Sequence, residues 1–344
     1  MYLLNILFDI SHPAHFHLLK NLIKNLDQAR HNIMITIHEK DVLVDLLNHD
    51  CIKYTSLADP AESLIGLSLE LIFRNIKMIR LCRHFRPDLL VGSSTSVAQI
   101  GWLLNKNSLI FSEDDDNVAP IFAYLTYPFA YKIINPSCLN FRKWKKKRVI
   151  HESYHELAYL HPDNFKPDRK ILKKYGLKEK KYVIVRFSAL RAHHDVGAAG
   201  ISKKLYGNIE PLFGNYQIIK SIENETSHQI APWDMHHILS FAKIIVSDSQ
   251  TMTIEGSVLG IPAVRINTFI GKSTVIEELE KKYHLSYGMF PDQEELILET
   301  IQSLIKNPNT DVIWKKRRVV MLSEKIDFNQ WMINFINNEL DNLR

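Results

Sequence analysis

The order of apolar and polar residues along the chain predicts a regular alternation of strands and helices. Apolar runs of strand length are followed by amphipathic stretches of helical period, with short polar turns between them. In the first half, strands are predicted at residues 2–10, 32–37, 52–55, 88–91 and 108–111, and helices at 14–28, 41–48, 62–84 and 96–104. Such alternation predicts the α/β fold class, with a parallel sheet covered by helices on both faces.

A second series of the same kind begins near residue 181 and predicts a second domain. Its first strands are expected at 182–187 and 217–222, and its helices at about 201–211 and at 238–242. The polar, proline-containing stretch His161–Lys180 is the best linker. We therefore expect Rossmann-like domains at residues 1–165 and 166–325, then a C-terminal helix in 326–344 that packs back on the first domain. Two doubly wound sheets of this kind are expected to face a cleft.

The most informative segment is residues 241–267, which read FAKIIVSDSQTMTIEGSVLGIPAVRIN. An apolar strand ends in the polar turn 247–249, a helix begins near Thr251, Gly260 stops it, and a second strand follows. Ligands of open α/β sheets bind at the carboxyl ends of the strands, and anions favour helix N-termini. The segment predicts a nucleotide-diphosphate site in which Glu255 accepts hydrogen bonds from ribose. The alternative is a crossover with an ordinary capped helix.

Composition narrows the class of protein. The chain has 344 residues, 46% of them hydrophobic and 24% charged, which is typical of a soluble globular protein with two domains. The net charge of +5 is compatible with anionic substrates or a membrane surface and is too weak to indicate nucleic acid. The three cysteines form no CxxC pair, which fits a reducing cytoplasm. The N-terminus has the pattern of a strand rather than of a signal peptide, and no apolar run is long enough to span a bilayer.

The turn after the first predicted strand contains Asp9 and three histidines, His12, His15 and His17. A histidine can act as a base at neutral pH, so His12 and His15 are candidate catalytic residues. The alternative is that a histidine caps the following helix or packs against it. Because neither HxxxH nor HExxH occurs in this turn, no metal site is predicted there.

Four consecutive acids, at positions 113–116, follow the fifth predicted strand. Carboxylates after a buried strand are costly unless they face solvent, a cation or a ligand. We interpret Glu113 and Asp114 as candidate catalytic residues, acting as a base or as acceptors for sugar hydroxyls. Asp115 and Asp116 are interpreted as a solvated acidic cap on a helix that begins near Val118.

The second domain supplies the predicted nucleotide-binding residues. Its first strand ends at Arg186, a natural partner for phosphate, and the loop that follows contains His193, His194 and Asp195. The predicted set is Arg186, Ser188, His194, Ser249, Thr251, Met252, Thr253 and Glu255. A plain surface loop is the alternative for residues 193–195. Further along, Trp233 could cover a base and Asp234 could cap a helix, although core packing explains both equally well.

An apolar, aromatic stretch at residues 119–134 precedes a basic cluster, Arg142–Arg148, in which six of seven residues are basic. The combination is typical of a peripheral membrane contact, in which anionic lipid attracts the cations. The alternative is a core helix and strand followed by a solvated basic loop.

With these turns placed, the chain resembles sugar-nucleotide enzymes of the GT-B fold. The sequence SDSQTMTIEGSVLGIP is similar to the donor-binding unit of non-hydrolysing UDP-N-acetylglucosamine 2-epimerases and of the glycosyltransferase that completes lipid II. The resemblance implies that Ser249 and Thr251 contact phosphate and that Glu255 contacts ribose. It also places Glu113 near a catalytic glutamate of the epimerases.

Two departures from these enzymes matter. The catalytic aspartate that follows the fourth strand of the epimerases is replaced here by Ser93 and Ser94, and the glycines of the transferase's first turn are missing from Ser11–His15. Over nearly the full length, the chain resembles a prokaryotic domain-of-unknown-function family with a GT-B-like fold. The pieces that carry this likeness are SHPAHFHLLKNLI, PDLLVGSSTS, AHHDVG and SDSQTMTIEGSVLGIPAVRIN.

The expected function is glycosyl transfer from a nucleotide-diphosphate sugar, UDP-linked, to a glycan or lipid-linked acceptor in surface polysaccharide synthesis. His15 or Glu113 would take the acceptor proton, and no metal or other cofactor is expected. The expected location is the cytoplasm, at the inner face of the cell membrane, with no nucleic-acid partner. The alternatives are a UDP-sugar 2-epimerase or nucleotide-sugar hydrolase, and a nucleotide-sugar-binding protein without catalysis.

Overall fold

Strands and helices alternate along the chain, as the apolar pattern predicts. The computed structural model describes residues 3–39, 42–58, 64–188, 199–223 and 229–343. The chain divides into two units: the first combines Met1–Tyr159 with Asp327–Arg344, and the second is Leu160–Ile326. The stretch expected as a linker, residues 161–180, therefore belongs to the second unit.

The elements up to the division are β1 (Asn5–Ile10), α1 (Pro13–Gln28), β2 (Asn32–His38), α2 (Leu43–His49), β3 (Thr55–Ala58), α3 (Leu64–Phe85), β4 (Leu89–Gly92), α4 (Thr95–Leu103), β5 (Asn107–Phe111), α5 (Pro120–Thr126), β6 (Lys132–Pro136), β7 (Arg148–His151) and α6 (Leu157–Leu160).

The later elements are α7 (Lys170–Lys174), β8 (Tyr182–Phe187), α8 (Lys203–Ile209), β9 (Gln217–Ile222), α9 (Met235–Leu239), β10 (Ile245–Ser247), α10 (Gln250–Leu259), β11 (Ala263–Ile266), α11 (Thr274–Lys281), β12 (Ser286–Met289), α12 (Glu294–Lys306), α13 (Thr310–Glu324) and α14 (Phe328–Asp341).

The first unit is built on a seven-stranded parallel sheet with the order β3-β2-β1-β4-β5-β6-β7. The order reverses at β1, whose neighbours are β2 and β4, and such switch points bind ligands in open α/β sheets. Helix α1 contacts α2 and α14, whereas α4 contacts α3 and α5. The carboxyl ends of β1, β4 and β5 therefore lie side by side at one end of the sheet.

The third strand begins three residues later than predicted. Cys51 has a positive φ of 54°, and the backbone N–H of Ile52 donates to the Leu47 carbonyl at 2.9 Å. This left-handed turn closes the end of α2, so Ile52 belongs to the helix terminus rather than to a strand.

The second unit contains a five-stranded parallel sheet with the order β12-β11-β10-β8-β9. The predicted βαβ crossover is present as β10, α10 and β11. Gly260 ends α10 with a φ of 77°, in the left-handed region that favours glycine.

The C-terminal helix α14 belongs to the first unit, although it follows the second in sequence. Its side chains Phe328, Met332 and Ile336 are fully buried, and Asp327 caps its first turn by accepting from the N–H of Asn329 at 2.9 Å. Among the described helices, none combines the length and the apolar character needed to cross a membrane.

Candidate functional site

The first turn of the first unit carries the three predicted histidines, and the structure gives each a different environment. His12 is the N-cap of α1, and its Nδ1 accepts from the Ala14 N–H at 3.1 Å. The ring of His17 is buried and stacks on Tyr159, with the ring centroids 5.2 Å apart. His15 is half-buried, and its Nδ1 lies 3.2 Å from the Ser11 hydroxyl oxygen. His15 is therefore the histidine of this turn whose ring neither caps the helix nor stacks in the core.

Asp9 has a structural role at the end of β1. Its fully buried carboxylate pairs with the Arg74 guanidinium at 2.6 Å and accepts from the Thr36 hydroxyl at 2.8 Å. The Ser94 hydroxyl also donates to this carboxylate. A Cβ on Gly92 would lie 2.6 Å from the Asp9 carbonyl oxygen, so β1 and β4 approach too closely there for a side chain. These contacts join the ends of β1, β2 and β4 to helix α3.

The predicted acidic cap is wrong. Asp115 and Asp116 are buried, and α5 begins later, with Ala119 as an N-cap that has no side-chain hydrogen bond. Instead, Asp115 accepts from the N–H of Asn140 at 2.6 Å, and Asp116 accepts from the N–H groups of Arg142 and Lys143 at 2.9 and 2.8 Å. The two carboxylates therefore accept hydrogen bonds from backbone N–H groups of the loop that follows β6, where those groups are outside the sheet.

Glu113 and His155 form a close pair beside the end of β5. One carboxyl oxygen of Glu113 accepts from the His155 backbone N–H at 2.5 Å, and the other lies 3.5 Å from His155 Nδ1. Burial raises the pKa of Glu113 to about 8, and the charge of exposed Asp114 adds to the rise. Burial, together with His151 and His15, lowers the pKa of His155 well below its usual value. The pair is therefore mostly uncharged at neutral pH.

Such a carboxyl group can gain or lose a proton near neutral pH, which is what general acid–base catalysis requires. His155 was not among the residues predicted from the sequence. The available signal is the segment HESYH at 151–155, which begins with the last residue of the edge strand β7 and, like the turn after β1, is rich in histidine.

Aromatic rings hold His155 in place. Its ring is parallel to Phe328 of α14, with centroids 5.5 Å apart, and meets the edge of Phe111 at 6.1 Å. His151 stacks on the same Phe328 ring at 3.9 Å. The C-terminal helix thus orients a residue of the candidate catalytic pair.

In the second unit, the predicted phosphate-binding residues lie in the first turn of α10. Ser249 is its N-cap, with its hydroxyl oxygen 3.5 Å from the Met252 N–H, as the capping alternative predicts. Thr253 is fully buried, and its hydroxyl donates to the Ser249 carbonyl at 2.7 Å; Met252 is also buried. Ser249 and Thr251 are half-buried, as is Gln250 between them, so both predicted residues keep side-chain surface for a ligand.

Glu255 is held by a residue that sequence reasoning did not select. Its Oε1 lies 2.9 Å from His236 Nε2, and both side chains are buried. His236 comes from α9, within the stretch APWDMHH. In the same stretch, Asp234 makes no cap on α9 and accepts from Lys174 Nζ and the Tyr175 hydroxyl at 2.7 and 2.6 Å. Trp233 is just over one third exposed, with 37% of its surface accessible.

Asp248 holds the chain on both sides of residues 189–198. Its Oδ1 accepts from the backbone N–H and the hydroxyl of Ser188 at 2.6 and 2.8 Å, and its Oδ2 accepts from the Ile201 N–H at 3.4 Å. A Cβ on Gly200 would lie 2.5 Å from Oδ2, so this approach requires glycine. His194 and its neighbours His193 and Asp195 lie outside the described residues.

Arg186 ends β8, as the sequence predicts. Its Nη1 donates to the Ser221 hydroxyl at 2.9 Å, and its Nη2 lies 4.0 Å from a Glu223 carboxyl oxygen. About one fifth of its side chain is exposed, at 21%. The guanidinium is thus tied to β9 and retains an accessible side.

A family model matches residues 4–324, which is nearly the whole chain. The chain belongs to the family described as Protein of unknown function (DUF354). The predicted membership in a family of this kind is therefore confirmed. Among curated proteins, no sequence matches this DUF354 chain significantly.

Solved structures of the same fold cover the DUF354 chain almost completely. MnaA of S. aureus, solved with UDP, has 13% identity and a TM-score of 0.71, covering 99% of this chain and 98% of its own. The UDP-GlcNAc 2-epimerase of Neisseria meningitidis, bound to UDP-GlcNAc, has 11% identity and a TM-score of 0.59, covering 92% and 98%. The spinosyn forosaminyltransferase SpnP has 12% identity and a TM-score of 0.66, covering 99% and 100%. The predicted GT-B fold class is confirmed, and at these identities the likeness concerns the fold.

Proposed function

We propose that this DUF354 protein is a glycosyltransferase that moves a sugar from a nucleotide-diphosphate donor, UDP-linked, to a hydroxyl of a glycan or lipid-linked acceptor. The observation that carries the proposal is the Glu113–His155 pair at the switch-point end of the first sheet. Its carboxyl pKa of about 8 suits proton transfer near neutral pH. Solved structures of the same fold include complexes with UDP and with UDP-GlcNAc and a forosaminyltransferase, and they support the choice of substrate class.

The second unit would bind the donor. Ser249 and Thr251, at the N-terminus of the ten-residue helix α10, would contact the diphosphate, where the helix dipole favours anions. Glu255, oriented by His236, would accept hydrogen bonds from the ribose hydroxyls. Arg186 would add positive charge toward the leaving diphosphate, so the chain's own groups would stabilise it without a metal.

The first unit would supply the acid–base group. Ionised Glu113 would take the proton of the acceptor hydroxyl as that oxygen bonds to the anomeric carbon and the bond to the diphosphate breaks. The backbone N–H of His155 holds the carboxylate in position, because it donates directly to one of its oxygens. Surface polysaccharide synthesis, in the cytoplasm at the inner face of the membrane, is the setting we propose for the reaction.

A sugar-nucleotide 2-epimerase or hydrolase is the second candidate, and the match to a UDP-GlcNAc 2-epimerase favours it. Against it stands the turn after β4, where the epimerases that the sequence resembles have a catalytic aspartate. Here that turn has Ser93 and Ser94, and Ser94 caps α4 and donates to Asp9. The described part of this turn therefore offers hydroxyl groups and no second carboxylate.

Acceptor dependence separates the candidates. The protein is incubated with UDP-sugars in the presence and absence of a membrane extract that contains lipid-linked glycans, and UDP and sugar products are measured. The proposal predicts that UDP forms only with acceptor and that Glu113→Gln slows its formation by a factor of about 10² to 10⁴, whereas Asp114→Asn, at the exposed neighbouring position, leaves it nearly unchanged. UDP or an epimer formed without acceptor would establish the second candidate. Nucleotide binding with no turnover under any condition would favour a protein without catalysis.

A further inference from the structure

In the first unit, side-chain hydrogen bonds connect helix α3 to α4 and helix α4 to α5. Asn75 of α3 donates to the Gln99 side chain of α4 at 2.7 Å, and Gln99 donates to the Leu125 carbonyl of α5 at 3.0 Å. The hydroxyls of Thr95 and Thr126 make a further link between α4 and α5 at 2.9 Å. The outward sides of the three helices therefore form one surface, which we call the three-helix face.

Large apolar and aromatic side chains stand out from the three-helix face. Six of them are more than half exposed: Ile72, Phe73, Trp102, Leu103, Ile121 and Tyr124. Single exposed apolar residues are normal, but several on adjoining helices mark an interaction surface. Tryptophan and tyrosine in particular suit a boundary between water and an apolar phase.

The basic cluster Arg142–Arg148 packs against the α5 side of the face. Lys143 Nζ hydrogen-bonds to the Tyr124 hydroxyl and lies 4.6 Å from the centre of its ring. Trp144 meets the Tyr124 ring edge-on at 5.3 Å, and Lys147 Nζ donates to the Pro128 and Ala130 carbonyls. The sequence-predicted apolar stretch and basic cluster are thus brought together.

Basic side chains predominate in this region, and of them Lys132 is paired with Glu339 of α14 at 2.6 Å. Residues 117–151 contain seven basic side chains and no Asp or Glu, and residues 71–87 of α3 and its end also contain no acid. On α3, the exposed side chains of Lys77, Arg80 and Arg83 follow the exposed apolar residues toward the C-terminal end of the helix. A surface of exposed apolar groups bordered by cations is complementary to a lipid bilayer, whose interior is apolar and whose headgroups can be anionic.

We propose that the three-helix face binds the surface of an anionic lipid membrane. The inference goes beyond the proposed reaction, since it concerns a partner of the first unit and stands on the surface alone. A second copy of the chain is a poorer fit. A symmetric contact would bring the same basic patch onto itself, with no acid in residues 117–151 to compensate.

Vesicle co-sedimentation tests the proposal with the full chain. Vesicles of phosphatidylcholine alone are compared with equal parts of phosphatidylcholine and phosphatidylglycerol, at low and high salt. We expect binding to the anionic vesicles only, weakened by salt. The variants Trp102→Ser/Ile121→Ser and Lys145→Glu/Lys146→Glu should each reduce the partition coefficient about tenfold or more. The matched controls Val319→Ser/Val320→Ser and Lys315→Glu/Lys316→Glu, on exposed positions of α13, should bind like wild type.

No binding to anionic vesicles, or equal losses in the control variants, would overturn the proposal. So would a concentration-dependent dimer in analytical ultracentrifugation that Trp102→Ser/Ile121→Ser abolishes while vesicle binding is unchanged. UDP binding is measured on the same samples. UDP binding is expected to depend on the second unit alone. A protein that binds UDP but no vesicle therefore refutes only this inference. A protein that binds anionic vesicles but no UDP refutes only the proposed function.

Discussion

At the scale of single residues, the most informative feature is a carboxyl group that is largely removed from water and that forms no ion pair with a lysine or arginine among the described residues. Glu113 is raised to a pKa of about 8 chiefly by burial, and its neighbour His155 is kept neutral by the same cause. A structural carboxylate in this protein looks different: Asp9 is fully buried and is paired with Arg74. Asp9 therefore supports the sheet, and Glu113 is the carboxyl group that we propose for proton transfer.

The raised pKa predicts how activity depends on pH. The turnover rate should increase as the pH rises through about 8, because only ionised Glu113 can take the acceptor proton. Glu113→Gln should reduce the turnover rate by a factor of about 10² to 10⁴, whereas Asp114→Asn should change it little. Steady-state kinetics of the wild type and both variants at several pH values between about 6 and 9 measure this. A wild-type profile that is flat across pH 8 would count against Glu113 as the base.

The pair also predicts a stability profile. The raised pKa of Glu113 gives a contribution that is fully present below 4.5 and is lost as the pH rises through about 8. The lowered pKa of His155 gives a contribution that is present above 6.5 and is lost as the pH falls. Just below pH 6.5 the two contributions change in opposite directions, because the unfolded His155 gains a proton there while the folded Glu113 keeps one that the unfolded chain has lost.

Above pH 6.5 the Glu113 contribution is lost, and so is that of Glu280, whose pKa burial raises to about 7. The free energy of unfolding should therefore decrease from pH 6.5 to 8, and Glu113→Gln should make this decrease smaller. Urea unfolding of the wild type and the variant at several pH values measures it. Parallel profiles for the two proteins would show that Glu113 titrates normally.

At the scale of elements, polar side chains connect the ends of strands to neighbouring elements, at positions where the backbone hydrogen bonds of the sheet stop. Asp9 and Arg74 join β1 to α3, Asp115 and Asp116 hold the loop after β6, and Asp248 holds the chain on both sides of residues 189–198. Each contact lies at the carboxyl end of a parallel strand, where the candidate residues also lie. These contacts fix the geometry of the turns and leave other side chains for ligands.

Removing one of these buried polar contacts should lower the free energy of unfolding. Arg74→Met leaves the fully buried Asp9 carboxylate without its cation, so the free energy of unfolding should fall by about 3–5 kcal/mol. Arg80→Met, on the exposed side of the same helix, should change it by less than about 0.5 kcal/mol. Urea titration of the two variants against wild type is the measurement. Similar small losses in both would mean that the Asp9–Arg74 pair is not a stabilising link.

Much of the element order could be predicted from the sequence, and the reason is physical. Strands β8 and β9 have the predicted bounds, because apolar runs between polar turns are local signals. No individual strand or helix was predicted within residues 267–326, which form β12 and three helices. The pairs Asp9–Arg74 and Glu113–His155 could not be found, since their members lie 65 and 42 positions apart and only the fold brings them together.

At the scale of the whole molecule, the two units show different chemistry. The first has a histidine and carboxyl pair at its sheet end and an apolar, basic outer face. The second has a capped helix N-terminus in a βαβ crossover with a buried histidine–glutamate pair behind it. We therefore propose acid–base chemistry and membrane contact for the first unit, and nucleotide binding for the second.

The central claim is that the turn at Ser249–Glu255 binds a nucleotide diphosphate, and calorimetric titration with UDP tests it most directly. Wild type should bind UDP, and Glu255→Ala should weaken the affinity about tenfold or more, by loss of charge-assisted hydrogen bonds to ribose. Glu299→Ala, at an exposed position of α12, should bind like wild type, and the melting temperature of each apo variant confirms that it is folded. A wild type that binds no nucleotide diphosphate, or a Glu255→Ala variant with unchanged affinity, would contradict the account.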